Sequence, residues 1–152
     1  MEAISRFDRA ITKLYEAFHT DRLNPLCCKQ CAVGNICDNT DLWKHLVKAH
    51  GSTELSYLGK LNETFGRKVY GYAPSELLQI EVAFLRACGY ELPLHLTTNK
   101  PKLDKDTLFR GLVATVAVLC DLEGTPNVMD CSALFDFEPA QSVAEMVPEC
   151  IE

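Results

Sequence analysis

No apolar run in this chain approaches the length of about 18 residues that a membrane helix needs. The first eighteen residues, MEAISRFDRAITKLYEAF, carry scattered charges and lack the uninterrupted apolar stretch of a signal peptide. A cytoplasmic location is therefore expected, where cysteines stay reduced. The chain also lacks a Gly-rich nucleotide loop. From Asp121 onward it has no Lys or Arg at all, only acids such as Asp130, Asp136, Glu145 and Glu152. All 15 bases precede Asp121, against 13 of the 21 acids, which leaves that part near +2 within a net charge of −6. An acidic end repels phosphate, so nucleic acid is not an expected partner.

What is present is an unusual supply of thiols. Eight cysteines occur among 152 residues. In a reducing compartment such usage points to metal or redox chemistry before disulfides. Three of the eight, Cys27, Cys28 and Cys31, fall within five positions. Thirteen residues separate Cys31 from His45, and four separate His45 from His50. Cys-x2-Cys-x13-His-x4-His fits the spacing of two-Cys, two-His zinc sites, since thiolate sulfur and neutral imidazole are ligands zinc favours. The expected ligands are Cys28, Cys31, His45 and His50, with Cys27 as the substitute. A nucleic-acid finger would set its cysteines on a β-hairpin and follow them with a basic helix. Here Asn24-Pro25 reads as a helix start, and Asp38 and Asp41 lie on the connection to the histidines. The site is thus expected to join two helices as a structural centre. An iron–sulfur cluster is the alternative cofactor, with Cys28, Cys31 and Cys37 as three thiolates and Cys88 or Cys120 as a fourth.

Helical periodicity dominates the rest. Phe7, Ala10, Ile11, Leu14, Ala17 and Phe18 share one face of a helix over 5–20, with Arg6, Arg9, Lys13 and Glu16 opposite. Residues 25–36 read either as a helix or as a metal knuckle. A helix beginning after Asp38-Asn39-Thr40-Asp41 runs to Gly51 and places His50 in its apolar face and His45 at the edge. Residues 51–74 show no sustained period. A turn of helix near 58–65 and an extended piece at 68–72 are expected, with Tyr57, Phe65, Tyr70 and Tyr72 covering the core. A helix opens at Pro74-Ser75-Glu76 and closes at Gly89. Glu81 lies inside its apolar face, flanked by Leu77, Phe84, Leu85 and Cys88. A buried carboxylate needs a cation, a metal or hydrogen-bond donors, so Glu81 is a candidate for function as well as structure. Residues 105–122 are apolar almost all round, between a cap at Asp104 and a terminator at Gly124, as in a helix buried among others.

The reading is an all-α, single-domain bundle of about five helices. A metal-binding domain spans 1–138, and an acidic tail follows at 139–152. Its expected role is binding or regulation through a protein partner; a metal-dependent enzyme using Glu81 is a further alternative.

The segments LNPLCCKQCAVGN at 23–35, Trp43-Lys44-His45 and GYAPSELLQIE at 71–81 resemble a small soluble bacterial family whose members are often labelled as a component of the Na+-translocating NADH-quinone reductase. The resemblance covers roughly residues 5–130. It implies electron transfer, with an iron–sulfur cluster, flavin and NADH as the cofactors that the label carries.

Overall fold

Caps and apolar spacing along the chain become seven helices in the computed structural model, which describes residues 5–92, 104–125 and 131–137. They are α1 (Arg6–His19), α2 (Ala32–Ile36), α3 (Leu42–Leu46), α4 (Tyr57–Thr64), α5 (Pro74–Ala87), α6 (Lys105–Glu123) and α7 (Cys131–Leu134). No named strand occurs among the described residues; extended pairing is confined to two isolated bridges, Val47 with Leu55 and Val69 with Tyr72. The all-α expectation holds. The count exceeds the expected five because α2, α3 and α7 are short pieces of four or five residues. The tail at 139–152 lies outside the described residues. No described helix is long and apolar enough to cross a membrane.

Each long helix has local reasons for its ends. Ser5 Oγ accepts from the Asp8 amide at 3.0 Å and starts α1. Pro74 occupies the first turn of α5, and Glu76 reaches back to accept from the Ala73 amide at 2.9 Å. Asp104 Oδ1 accepts from the Thr107 amide at 2.9 Å to open α6. Gly124 closes α6 at φ 71, a left-handed position that glycine takes without a Cβ penalty.

Helices α5 and α6 pack along one another at the centre of the molecule. Leu77, Ile80, Phe84 and Leu85 of α5 and Phe109, Leu112, Val116 and Leu119 of α6 are fully buried. The approach is closest at Gly111. A methyl group there would stand 2.5 Å from Cys88 Sγ and 2.8 Å from the Phe84 ring. Helix α1 buries Leu14, Ala17 and Phe18 and packs against α2 and α6, and Phe18, Phe109, Phe135 and Phe137 form an aromatic cluster beneath its end. His19 stands with Nε2 2.5 Å from the Phe135 carbonyl, which can only accept, so that nitrogen donates.

Arg6, placed by periodicity on the outer face of α1, is a tie point for several elements. Its guanidinium contacts Glu123 at 2.5 Å, Glu76 at 3.2 Å and the Gly71 carbonyl at 2.7 Å, and lies 4.4 Å over the Tyr72 ring. The aromatic segment divides. Tyr72 is buried, whereas Tyr57 is 81% and Phe65 65% exposed. With Leu58 and Leu61 these two residues leave an apolar stripe on the outer side of α4.

Gly111→Ala is predicted to destabilise the fold. Overpacking costs about 1–3 kcal/mol, against ~1 kcal/mol regained in helix propensity. The variant's urea midpoint should fall with the slope unchanged; an unaltered or raised midpoint would show that the α5–α6 seam is looser than described.

Candidate metal centre

The loop after α1 is built around a short helix. Asn24 Oδ1 accepts from the Leu26 amide at 3.0 Å, so Asn24-Pro25 makes a turn and no helix begins there. The Gln30 and Cys31 amides both bond the Cys27 carbonyl, at 3.0 and 2.8 Å, and the helix starts at α2 with Cys31 as its cap. The knuckle alternative is therefore the closer one for 25–31. Cys31 Sγ takes the capping place, accepting from the Gly34 amide at 3.3 Å. All five residues of α2 are buried.

Two residues hold this loop against α2. Asn35, 3% exposed, stands with Nδ2 at 2.9 Å from the Gln30 carbonyl and 3.0 Å from that of Cys31, while its Oδ1 accepts from Asn39. Gly34 is needed for closeness. A Cβ there would fall 2.4 Å from the Cys28 carbonyl oxygen and 2.5 Å from the Lys29 carbonyl carbon. Neither the helix nor the knuckle reading of residues 25–36 anticipates this closeness. A glycine beside an amide side chain, three residues after a cysteine, was the available signal for a tightly folded loop.

His50 reaches the site by a different route from the one periodicity suggests. Helix α3 ends at Leu46 because Val47 turns extended and pairs with Leu55. Ser56 then donates its amide to the Leu46 carbonyl, and its Oγ–H to that of His45. His50 stands in the turn between the paired residues, ahead of Gly51 at φ 81. Its Nε2 is 2.6 Å from the Pro25 carbonyl. A carbonyl only accepts, so Nε2 carries a proton, and in the neutral imidazole Nδ1 is the nitrogen that keeps a lone pair. Nδ1 is buried and has no hydrogen-bond partner among the described residues.

Glu81, on α5, is 1% exposed, as its position in the helical face predicts. Its Oε1 accepts from the Val33 amide at 3.2 Å, and its Oε2 is buried with no partner among the described residues. Cys31 Sγ, a ring nitrogen of His50 and a carboxylate oxygen of Glu81 all lie within 4.8 Å of one another. The expected metal ligands thus separate. Cys31 and His50 converge, and Glu81 joins them. His45 is exposed on α3, 3.7 Å from Asp41 Oδ2 and outside the group. Cys27 and Cys28 are half-buried on the loop, and neither belongs to the converging group. Cys37, Cys88 and Cys120 are buried elsewhere in the apolar core.

The electrostatics of the group are self-opposing. Burial, then the nearby Glu81 charge, pushes the Cys31 thiol well up, with the Gly34 amide in opposition. Burial also raises Glu81, against the pull of His50, the Cys31 thiol and the Val33 amide. A buried thiolate and a buried carboxylate side by side repel each other, so each favours the proton on its neighbour. A divalent cation reverses that logic by neutralising both. Given zinc bond lengths of about 2.0–2.3 Å, donors on one tetrahedral ion stand roughly 3.3–3.8 Å apart, so this group needs to close by no more than about 1.5 Å.

A pH effect follows for protein stripped of metal. Because Glu81 sits above its ordinary value of 4.5, the folded state keeps a proton that the unfolded chain releases. Stability from this group is greatest below about pH 4.5 and declines as pH rises toward the folded value. Glu81→Gln is expected to remove that decline and to exceed the metal-stripped parent in stability near neutral pH. Urea midpoints measured from pH 4 to 7 in chelator check this; parallel curves for the two proteins would mean that Glu81 is not held protonated.

Comparison of the chain with protein-family models, curated proteins and solved structures finds no match.

Proposed function

We propose that this chain is a small zinc-binding helical protein whose ion is held by Cys31, His50 and Glu81, in a binding or regulatory role. The observation that carries the reading is the convergence of three donors from three separate parts of the chain, two of which, His50 and Glu81, have a buried atom with no partner among the described residues. Native interiors seldom leave such atoms without a partner, and an ion would satisfy both. The Nε2–H of His50 bonded to a carbonyl is also the arrangement that orients a metal-binding imidazole.

The donor set favours zinc. Sulfur, imidazole nitrogen and carboxylate oxygen are all zinc ligands, whereas an iron–sulfur cluster draws mainly on several thiolates. This group offers one thiolate, which weighs against the electron-transfer reading that the family resemblance implies. Cys31 as a nucleophile toward an outside substrate is disfavoured too, because it is fully buried and, with no cation beside it, burial pushes its thiol up. Glu81 serves here as a ligand, which removes it from use as a general base beside the ion.

The ion's task on this reading is architectural. It ties the cap of α2, the turn after α3 and the middle of α5, so its binding stabilises the fold in which all three meet. The exposed stripe Tyr57, Leu58, Leu61 and Phe65 on α4 is the surface we assign to a protein partner, since contiguous exposed apolar area marks interaction sites. A cytoplasmic setting suits the free thiols.

Protein purified without added metal is expected to contain zinc by elemental analysis, at one ion per chain. Free zinc at a thousand times its dissociation constant should stabilise the fold by about 4 kcal/mol. Cys31→Ser, His50→Ala and Glu81→Gln should each weaken zinc in a chelator competition, while His45→Ala should not. Equal effects from His45→Ala, or no zinc in any preparation together with no binding on titration, would dismiss the site.

A further inference from the structure

Three protein donors leave a tetrahedral ion one position short, and the loop whose backbone packs against α2 beside Cys31 carries a further cysteine, Cys28. This loop is pinned at three points around the group. Pro25 is held by His50 Nε2, Gln30 by Asn35, and the backbone of Cys28 and Lys29 lies directly against Gly34. Cys31 Sγ is 3.7 Å from the carbonyl oxygen of Cys28 itself. The Cys28 side chain therefore springs from backbone already at the edge of the site and is half-buried, while Cys31 is fully buried. Cys27 also lies on the loop, but its carbonyl is engaged in closing the turn with the Gln30 and Cys31 amides.

We propose that Cys28 closes the metal shell from the solvent side, and that Cys28 and Cys31 together make a peroxide-sensitive latch on the ion. The proposal rests on the zinc reading of Cys31, His50 and Glu81. Four protein ligands would give the closed shell of a structural zinc site. With Cys31, Glu81 and Cys28 all ionised around a divalent ion, the site carries one surplus negative charge, located at the ligand nearest water.

The latch follows from the unequal exposure of the two sulfurs. A metal-bound thiolate remains nucleophilic, and the more accessible one meets the oxidant first. The Cys28 sulfur attacks one oxygen of hydrogen peroxide; the O–O bond breaks, hydroxide leaves, and Cys28 becomes a sulfenic acid. The Cys31 thiolate then attacks the Cys28 sulfur, forming the S–S bond and expelling a second hydroxide. The sulfurs lose two electrons and the peroxide gains two. Residues three apart across a turn have α-carbons within about 7 Å, overlapping the roughly 4.4–6.8 Å that a disulfide spans. The ion is left with His50 and Glu81 alone and departs.

The experiment has two stages on the full chain. First, cobalt(II) is titrated into metal-stripped protein as a spectroscopic stand-in for zinc. The parent should show tetrahedral visible bands, with thiolate-to-metal charge transfer of two sulfurs; Cys28→Ser should lose about half of that intensity and bind roughly 10–100-fold more weakly. Second, hydrogen peroxide is added to zinc-loaded protein, and zinc release is followed with a chromogenic chelator alongside free-thiol counts. The parent should release one zinc for each pair of thiols lost and recover binding on reduction. Cys28→Ser should release at least roughly tenfold more slowly, because a buried lone thiolate has no partner sulfur to trap it. Cys27→Ser should behave as the parent. No cobalt or zinc binding by the parent would overturn the zinc reading itself. Binding by the parent with a single-thiolate spectrum unchanged in Cys28→Ser would leave zinc in place and overturn the latch. So would release without paired thiol loss, or a Cys27→Ser variant that takes the phenotype expected of Cys28→Ser.

Discussion

A carboxylate buried in an apolar interior must be answered, and the answer given to Glu81 organises one side of this molecule. One oxygen takes the Val33 amide, which docks α2 against the middle of α5. The other is buried with no hydrogen-bond partner among the described residues, and the carboxylate lies close to Cys31 and His50. A neutral side chain of similar shape would fill the volume at less cost in desolvation. The presence of a carboxylate there, next to a thiol that resists ionisation for the same reason, is what gives the group its bias toward a cation.

The local scaffold divides the work of placing the donors. Cys31 is fixed because its sulfur caps α2, His50 because the Pro25 carbonyl accepts from its Nε2–H, and Glu81 because α5 is packed along α6. Asn35 and Gly34 serve the first of these, Asn35 through hydrogen bonds to loop carbonyls and Gly34 by leaving room for the loop. Ser56 and the Val47–Leu55 bridge serve the second, by ending α3 early and turning the chain back. The aromatic cluster around Phe18 and the Arg6 tie across α1, α5 and α6 draw on none of the three donors.

The outward face of α4 differs in kind. Its stripe of Tyr57, Leu58, Leu61 and Phe65 has helical spacing but turns away from the core. Sequence pattern alone assigned these rings to a covering layer, and it is right for Tyr72 and not for Tyr57 or Phe65. The reason is that Gly59 faces inward. A Cβ there would strike the Leu46 carbonyl at 2.2 Å, so α4 packs backbone-close through its glycine and presents its large side chains outward.

Several features were determined by the sequence itself. Apolar residues at helical spacing specify α1, α5 and α6, and Ser5, Asp104 and Gly124 set helix ends through side-chain caps and a left-handed terminator. The burial of Glu81 follows from its place within an apolar face, and Cys31 and His50 stand out by ligand chemistry. Tertiary structure decided which donors meet. Positions 31, 50 and 81 are far apart in the chain, and no local period relates them. His45 fits the ligand spacing as well as His50 does, yet α3 stops at Leu46 and leaves His45 facing water beside Asp41. That stop is caused by a pairing with Leu55 across a turn, a contact between segments that only the folded chain brings together.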